Sequence, residues 1–251
     1  MIELKYLASY ILIILSIYIL SKEKTGLSKK VFISSIRAFI QLLFLGYTLV
    51  YIFKIENPFF LSLVILVMLI FASYTAQDRT NLKKGGYTKS FLSIASATII
   101  VLGVLLALNI ISFKPNEFIP VAGMIIGNSL NVYSLAIDRL KGEIKNNIEL
   151  IENMIALGSS LKEAIFFLKK EAIKNSLTLA LNIMQTVGII HIPGVTTGML
   201  IAGVDPLKAI SYQVAIIYMI VATSVLTAFF SIRLTYKETF ITAVEEKEKE
   251  K

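Results

Sequence analysis

The sequence predicts an all-α protein, a polytopic bundle of about seven helices threaded through a membrane. Three observations carry that reading. Hydrophobic residues fill 56% of the 251 positions and charged residues only 17%, against about 25% charged in an ordinary soluble domain. Mean hydropathy is +0.75. The apolar residues also gather into runs of the length, about 20 residues, that a helix needs to cross a hydrocarbon core about 30 Å thick.

Seven such runs are read, at about Leu4–Leu20, Val31–Phe53, Pro58–Gln77, Ser90–Ile111, Phe118–Ile137, Ile173–Ile192 and Ala209–Ile232. The first is read as an uncleaved span, because it is long for a signal peptide and lacks a small-residue cleavage site. Residues 1–240 are read as one transmembrane domain, and residues 241–251 as a charged tail expected to be solvated or frayed.

The basic residues give the spans a direction. Of the 25 Lys and Arg residues, only Lys5, Lys54, Lys114 and Lys208 fall on one set of alternating loops; the other 21 fall on the opposite set. By the positive-inside rule the N-terminus is outside and the C-terminus inside, in a plasma membrane. The same distribution accounts for the net charge of +8 without nucleic acid.

Some chemistries are excluded. There is no cysteine and one histidine, His191, so disulfides, thiolate sites and His clusters do not arise. Neither an HExxH pair nor a GxxxxGK[ST] phosphate loop occurs. The chain is therefore read as not an enzyme, with no cofactor of its own.

Polar residues inside spans are costly and mark contacts or pathways. Arg37 and Gln41 lie four apart on one face of span two, either snorkelling and packing or pairing inside the bundle. Gln77, Asp78 and Arg79 close span three as an interfacial cap. Span five carries Gly123 and Gly127 in a GxxxG pair, then Asn128 and Asn131 three apart. That face is either helix–helix glue or a pathway-lining or subunit-contact face. Gln185 lies near the far end of span six. The segment that follows carries Pro193, Gly194, Gly198, Gly203, Asp205 and Pro206. It is apolar but too broken to span, so a short re-entrant or interfacial helix is expected there, closing the outer end of a pathway, with an ordinary surface turn as the alternative.

The largest soluble piece runs from Asp138 to Glu171. Within it, at about 148–168, Ile148, Ile151, Ile155, Leu161 and Ile165 recur at helical spacing. Two short amphipathic helices are expected to meet at Gly158, the second capped by Ser160 with Glu163 three residues on. Such a corner either lies on the bilayer surface or fits a partner's groove.

Here a resemblance enters. Glu152 and Gly158 have the spacing of the Glu-Ala-Ala-x-x-x-Gly motif of ABC importer permeases, with Asn153 and Met154 in place of the alanines. A closer resemblance rests on five blocks: Arg37–Leu42, Ile119–Asn128, Leu157–Ala164, Thr186–Gly198 and Ala202–Pro206 with Tyr212-Gln213. In order and spacing they resemble the iron-export and aluminium-resistance ABC permeases of bacteria, archaea and plants. The resemblance implies a membrane subunit exporting a metal or related solute, worked by a separate cytosolic P-loop ATPase that would bind the ATP and Mg. It implies that Glu152, Ala156, Leu157, Gly158, Ser159, Leu161 and Ala164 dock that ATPase. Seven spans are few for one complete pathway, so a homodimer is expected. The alternative is a secondary transporter or channel without an ATPase, which usually carries a midplane carboxylate or ion site. No metal ligand set is legible.

Overall fold

A computed structural model describes residues 8–55, 57–82 and 85–249. The described residues form ten helices. The chain divides into two compact units, residues 1–56 and 57–251.

The first unit holds α1 (Tyr10–Lys22) and α2 (Ser28–Ile52). They pack on each other, with Tyr10 Oη 3.0 Å from Ser35 Oγ. Neither helix has a buried residue, although both are strongly apolar. Such surface is ordinary against lipid tails and untenable in water.

The second unit is built on α3 (Pro58–Thr80), α4 (Gly86–Ala107), α5 (Pro115–Asn146) and α10 (Pro206–Lys249). Asn57 starts α3 by accepting from the Phe59 N–H, with Pro58 at the first helical position, where its missing N–H costs nothing. A Cβ on Gly86 would lie 3.0 Å from Leu82 Cβ, so a larger residue there would have to push Leu82 aside.

Among the described residues, five helices are long and apolar enough to cross a membrane: α2, α3, α4, α5 and α10. The helix α1 is apolar but 13 residues long over its described part; residues 4–7 of the expected first span lie outside the described residues. The expected sixth span differs most. Its helix, α8 (Phe166–Thr186), begins among Lys169, Lys170, Glu171 and Lys174 and ends six residues before Ile192. It stops where Gly188, at φ +84, turns the chain and its N–H bonds back to the His191 carbonyl.

The helix α10 packs between α4 and α5 along a row of small hydroxyl residues four apart: Thr223, Thr227, Ser231, Thr235 and Thr239. All five are fully buried. Most return their hydroxyl to their own helix, as Thr223 does to Met219 O (2.7 Å) and Thr239 to Thr235 O (2.8 Å). The polar groups are thereby satisfied locally, and their small size lets the helices approach.

The helices α5 and α10 run past the expected span ends, to Asn146 and Lys249. The tail expected to fray is thus helical to Lys249, because it has partners. Glu246 takes Lys141 at 2.8 Å and Lys145 at 3.0 Å, and Lys247 Nζ donates to the Lys145 carbonyl. Ion pairs also join Lys89 to Glu238. This end of the unit, where α3 stops and α4 starts, carries the basic residues and is called the basic end below.

Candidate functional site

Beyond α5 at the basic end, the chain folds into a corner. The helices α6 (Ile148–Ala156) and α7 (Leu161–Ala164) meet at Gly158. Gly158 sits at φ +96, a left-handed conformation that costs a β-carbon-bearing residue energy. The second helix starts with a complete capping box. Ser160 Oγ donates to Glu163 Oε2 at 2.6 Å, the Ser160 N–H donates to the same oxygen at 2.9 Å, and the Glu163 N–H donates to Ser160 Oγ. The Ser160 hydroxyl, and next its N–H, hold the Glu163 carboxyl below the usual carboxylate range.

The corner has two faces with different tasks. Ile148, Ile151, Ala164, Ile165 and Leu168 are buried. Ile151, Ala164, Ile165 and Leu168 pack with Ala136, Leu140 and Ile144 of α5 and with Ile232 and Ala243 of α10. Most of the apolar stripe read from the sequence therefore holds the corner on its own bundle and is not free for a partner. The other face is free. Leu157 at the tip is 88% exposed, and Glu152, Ala156 and Gly158 are exposed beside it. Ala164 is the exception among the expected docking residues: it is fully buried and supports the corner from beneath. Leu161 and Ser159 are half-buried.

The expected pathway residues separate into groups. Asn128 reaches α10, its Nδ2 donating to the Ile220 carbonyl at 3.2 Å and to Ser224 Oγ at 3.0 Å. Its amide joins two helices. Asn131 is exposed and accepts from Arg79 Nη1 at 3.0 Å, tying the end of α3 to α5. Among the described residues, Gly123 and Gly127 bring no second backbone close. A Cβ on Gly123 would meet only the flexible tip of Met68 at 3.3 Å, and one on Gly127 would meet nothing. Arg37 and Gln41 are exposed on α2, in the first unit.

At the end opposite the basic one, the broken segment forms the expected short helix, α9 (Gly194–Ile201). Pro193 is its N-cap; Gly194 and Gly198 lie on it, exposed. Gln185, on the last turn of α8, is exposed. Asp205 is occupied in capping α10, its Oδ1 accepting from the Lys208 N–H at 3.1 Å. Between α8, α9 and α10 lies a cavity of about 490 Å³, walled by Met184, Val187, Pro193, Leu200, Ile217 and Tyr218. Its polar feature is a buried pair: Thr196 Oγ1 donates to Gln213 Oε1 at 3.1 Å. Gln213 stood out in the sequence only as part of a block; its pairing with Thr196 across 17 residues had no local signal. No group of three His, Cys, Asp or Glu side chains able to hold a metal occurs among the described residues.

A helical bundle whose unburied faces are apolar over membrane-crossing lengths defines a multi-pass membrane protein. Residues 4–240 match the uncharacterised protein family UPF0014, and the chain belongs to that family. It is 34% identical to the UPF0014 membrane protein YjkA of Bacillus subtilis over 92% of each chain. It is 33% identical to the "Probable iron export permease protein FetB" of Escherichia coli, over 90% of this chain and 88% of that one. It is 32% identical to the protein ALUMINUM SENSITIVE 3 of Arabidopsis thaliana, over 94% of this chain and 86% of that one. No solved structure matches.

Proposed function

We propose that this chain is the membrane subunit of an ATP-driven exporter of the ABC type, carrying a metal such as iron or a related solute. A separate cytosolic P-loop ATPase would supply the ATP and Mg chemistry. The carrying observation is the corner at Gly158. It presents an exposed Leu157 on a base of fully buried Ile151, Ile165 and Leu168, so a push on the tip passes into α5 and α10 rather than bending a loop. The relatives named as a permease and as an aluminium-sensitivity protein support transport and the class of cargo.

In this reading the basic end is cytosolic, the N-terminus is outside, and α1 and α8 complete seven spans. Two copies form one pathway, and nucleotide binding by the docked ATPases biases it between inward and outward openings.

The test is co-expression with candidate P-loop ATPases. The wild-type chain retains one through purification and changes its ATP hydrolysis rate. Leu157→Asp abolishes retention while the chain stays folded. An ATPase that stays bound and coupled to Leu157→Asp would overturn the docking assignment.

A further inference from the structure

We propose that the cavity between α8, α9 and α10 seats one chain of a bilayer glycerolipid, an oxygen of its glycerol linkage accepting a hydrogen bond from Gln213 Nε2. The proposal rests on the membrane location alone and not on the ATPase reading.

The carrying observation is a buried amide with a bond left to make. Gln213 is 6% exposed and Thr196 4%. Thr196 Oγ1 donates to Gln213 Oε1 at 3.1 Å, which fixes the amide. Its Nε2 has no partner among the described residues. A buried donor left unpaired is costly. Gln213 lines the cavity, so the partner it calls for is an acceptor held there.

The lining selects the class of occupant. At about 490 Å³ the cavity has the size of a ligand site. Among the described residues its walls are uncharged, and Thr196 and Gln213 are the buried polar side chains in them. A metal ion would give up its water there with no carboxylate or imidazole to replace it. One water takes about 30 Å³ and would leave most of an apolar hollow empty. An apolar chain fills it, and one neutral acceptor on that chain satisfies the amide.

The level and the opening point to the bilayer as the source. Gln213 follows Ala209, the start of the apolar run of α10, by one helical turn, about 6 Å. That is near the edge of the hydrocarbon core, where lipid chains join their glycerol. Val214 and Tyr218 also line the cavity. They are 44% and 64% exposed on a helix long and apolar enough to cross the membrane. The open side therefore faces a surface that lipid covers.

The full chain, purified in neutral detergent, is titrated separately with phosphatidylcholine and phosphatidylglycerol and followed by native mass spectrometry. One molecule of either lipid binds saturably to the wild type with the same affinity, because the uncharged lining holds the chain and not the headgroup. Gln213→Leu keeps the volume, removes the donor and weakens both about fivefold. Unchanged affinity in that variant overturns the proposal. So does binding of phosphatidylglycerol alone, which would place recognition at a charged headgroup elsewhere. A wild type that takes up no lipid, or a lipid-free dimer whose second copy fills the hollow, overturns it as well. If Gln213→Leu fails to fold, Leu200→Trp replaces it, since Leu200 lines the cavity and is 39% exposed. The larger ring narrows the hollow and weakens both lipids by at least as much, and unchanged affinity overturns the site.

Discussion

Lys141 and Glu246 are 105 residues apart in sequence and 2.8 Å apart in space. Their ion pair joins the extension of α5 to the last turns of α10, just above the corner at Gly158. The Lys141 side chain is only 10% exposed, so it depends on this partner more than a surface lysine would.

Glu246→Gln therefore leaves a largely buried ammonium without its counter-charge. The expected cost is about 1–2 kcal/mol, below that of a fully buried pair because Glu246 itself is partly solvated. Hydrogen exchange should show faster opening from residue 240 onward, and the double variant Lys141→Met/Glu246→Gln should restore most of the protection.

The two faces of the corner should respond differently. Ile151→Ala hollows a fully buried site and costs about 2–5 kcal/mol. Leu157→Ser removes an exposed side chain and should stay within about 0.5 kcal/mol. Chemical or thermal unfolding in a fixed detergent checks both.

The capping box sets a pH dependence. The folded pKa of Glu163 lies below its unfolded value because the Ser160 hydroxyl, then the Ser160 N–H, favour the carboxylate. Its contribution is therefore full above the unfolded value, about 4.3, and fades as pH falls through the folded one. Amide exchange at 161–164, corrected for intrinsic rates, should accelerate below about pH 4 in the wild type. Ser160→Ala should show fast exchange at neutral pH and little further change on acidification.

Asn128→Leu removes both bonds to α10 while Ser224 keeps its own acceptor, the Ile220 carbonyl at 2.8 Å. The expected loss is about 0.6–2 kcal/mol, the range for interhelical bonds in membranes, read as a lower unfolding midpoint. An unchanged midpoint would mean that the amide joins nothing of consequence.

The chain has no cysteine, so a single introduced thiol reports its side of the membrane without background. Leu157→Cys should react with an impermeant maleimide only in inverted vesicles or opened cells. Labelling in intact cells would reverse the proposed orientation.

Much of the fold was legible in the sequence because it is written locally. The Gly158 corner followed from apolar spacing plus one glycine, and the Ser160–Glu163 cap from residues three apart. The short helix α9 followed from Pro193 and the glycines around it. What stayed hidden depends on distant partners. The charged residues near the C-terminus look like a solvated tail until Lys141 and Lys145 are placed opposite Glu246. The apolar stripe at Ile151 and Ile165 left open the bilayer surface or a partner's groove, because a pattern shows that a surface must be covered and not by what. One signal was present and unread: hydroxyl residues at every fourth position from Thr223 to Thr239, the mark of a helix face packed closely inside a bundle.

The helix α10 contains neither glycine nor proline between Leu207 and Lys249, and its 44 residues extend about 66 Å. One end supplies Gln213 to the apolar cavity; the other supplies Ile232 and Ala243 to the packing beneath the corner. A single stiff element with a ligand-sized hollow at one end and an exposed knob at the other imposes reciprocity. Were this helix to shift when the hollow is filled, the packing beneath the knob would shift with it, and a contact at the knob that favours one position would favour occupancy of the hollow by the same factor.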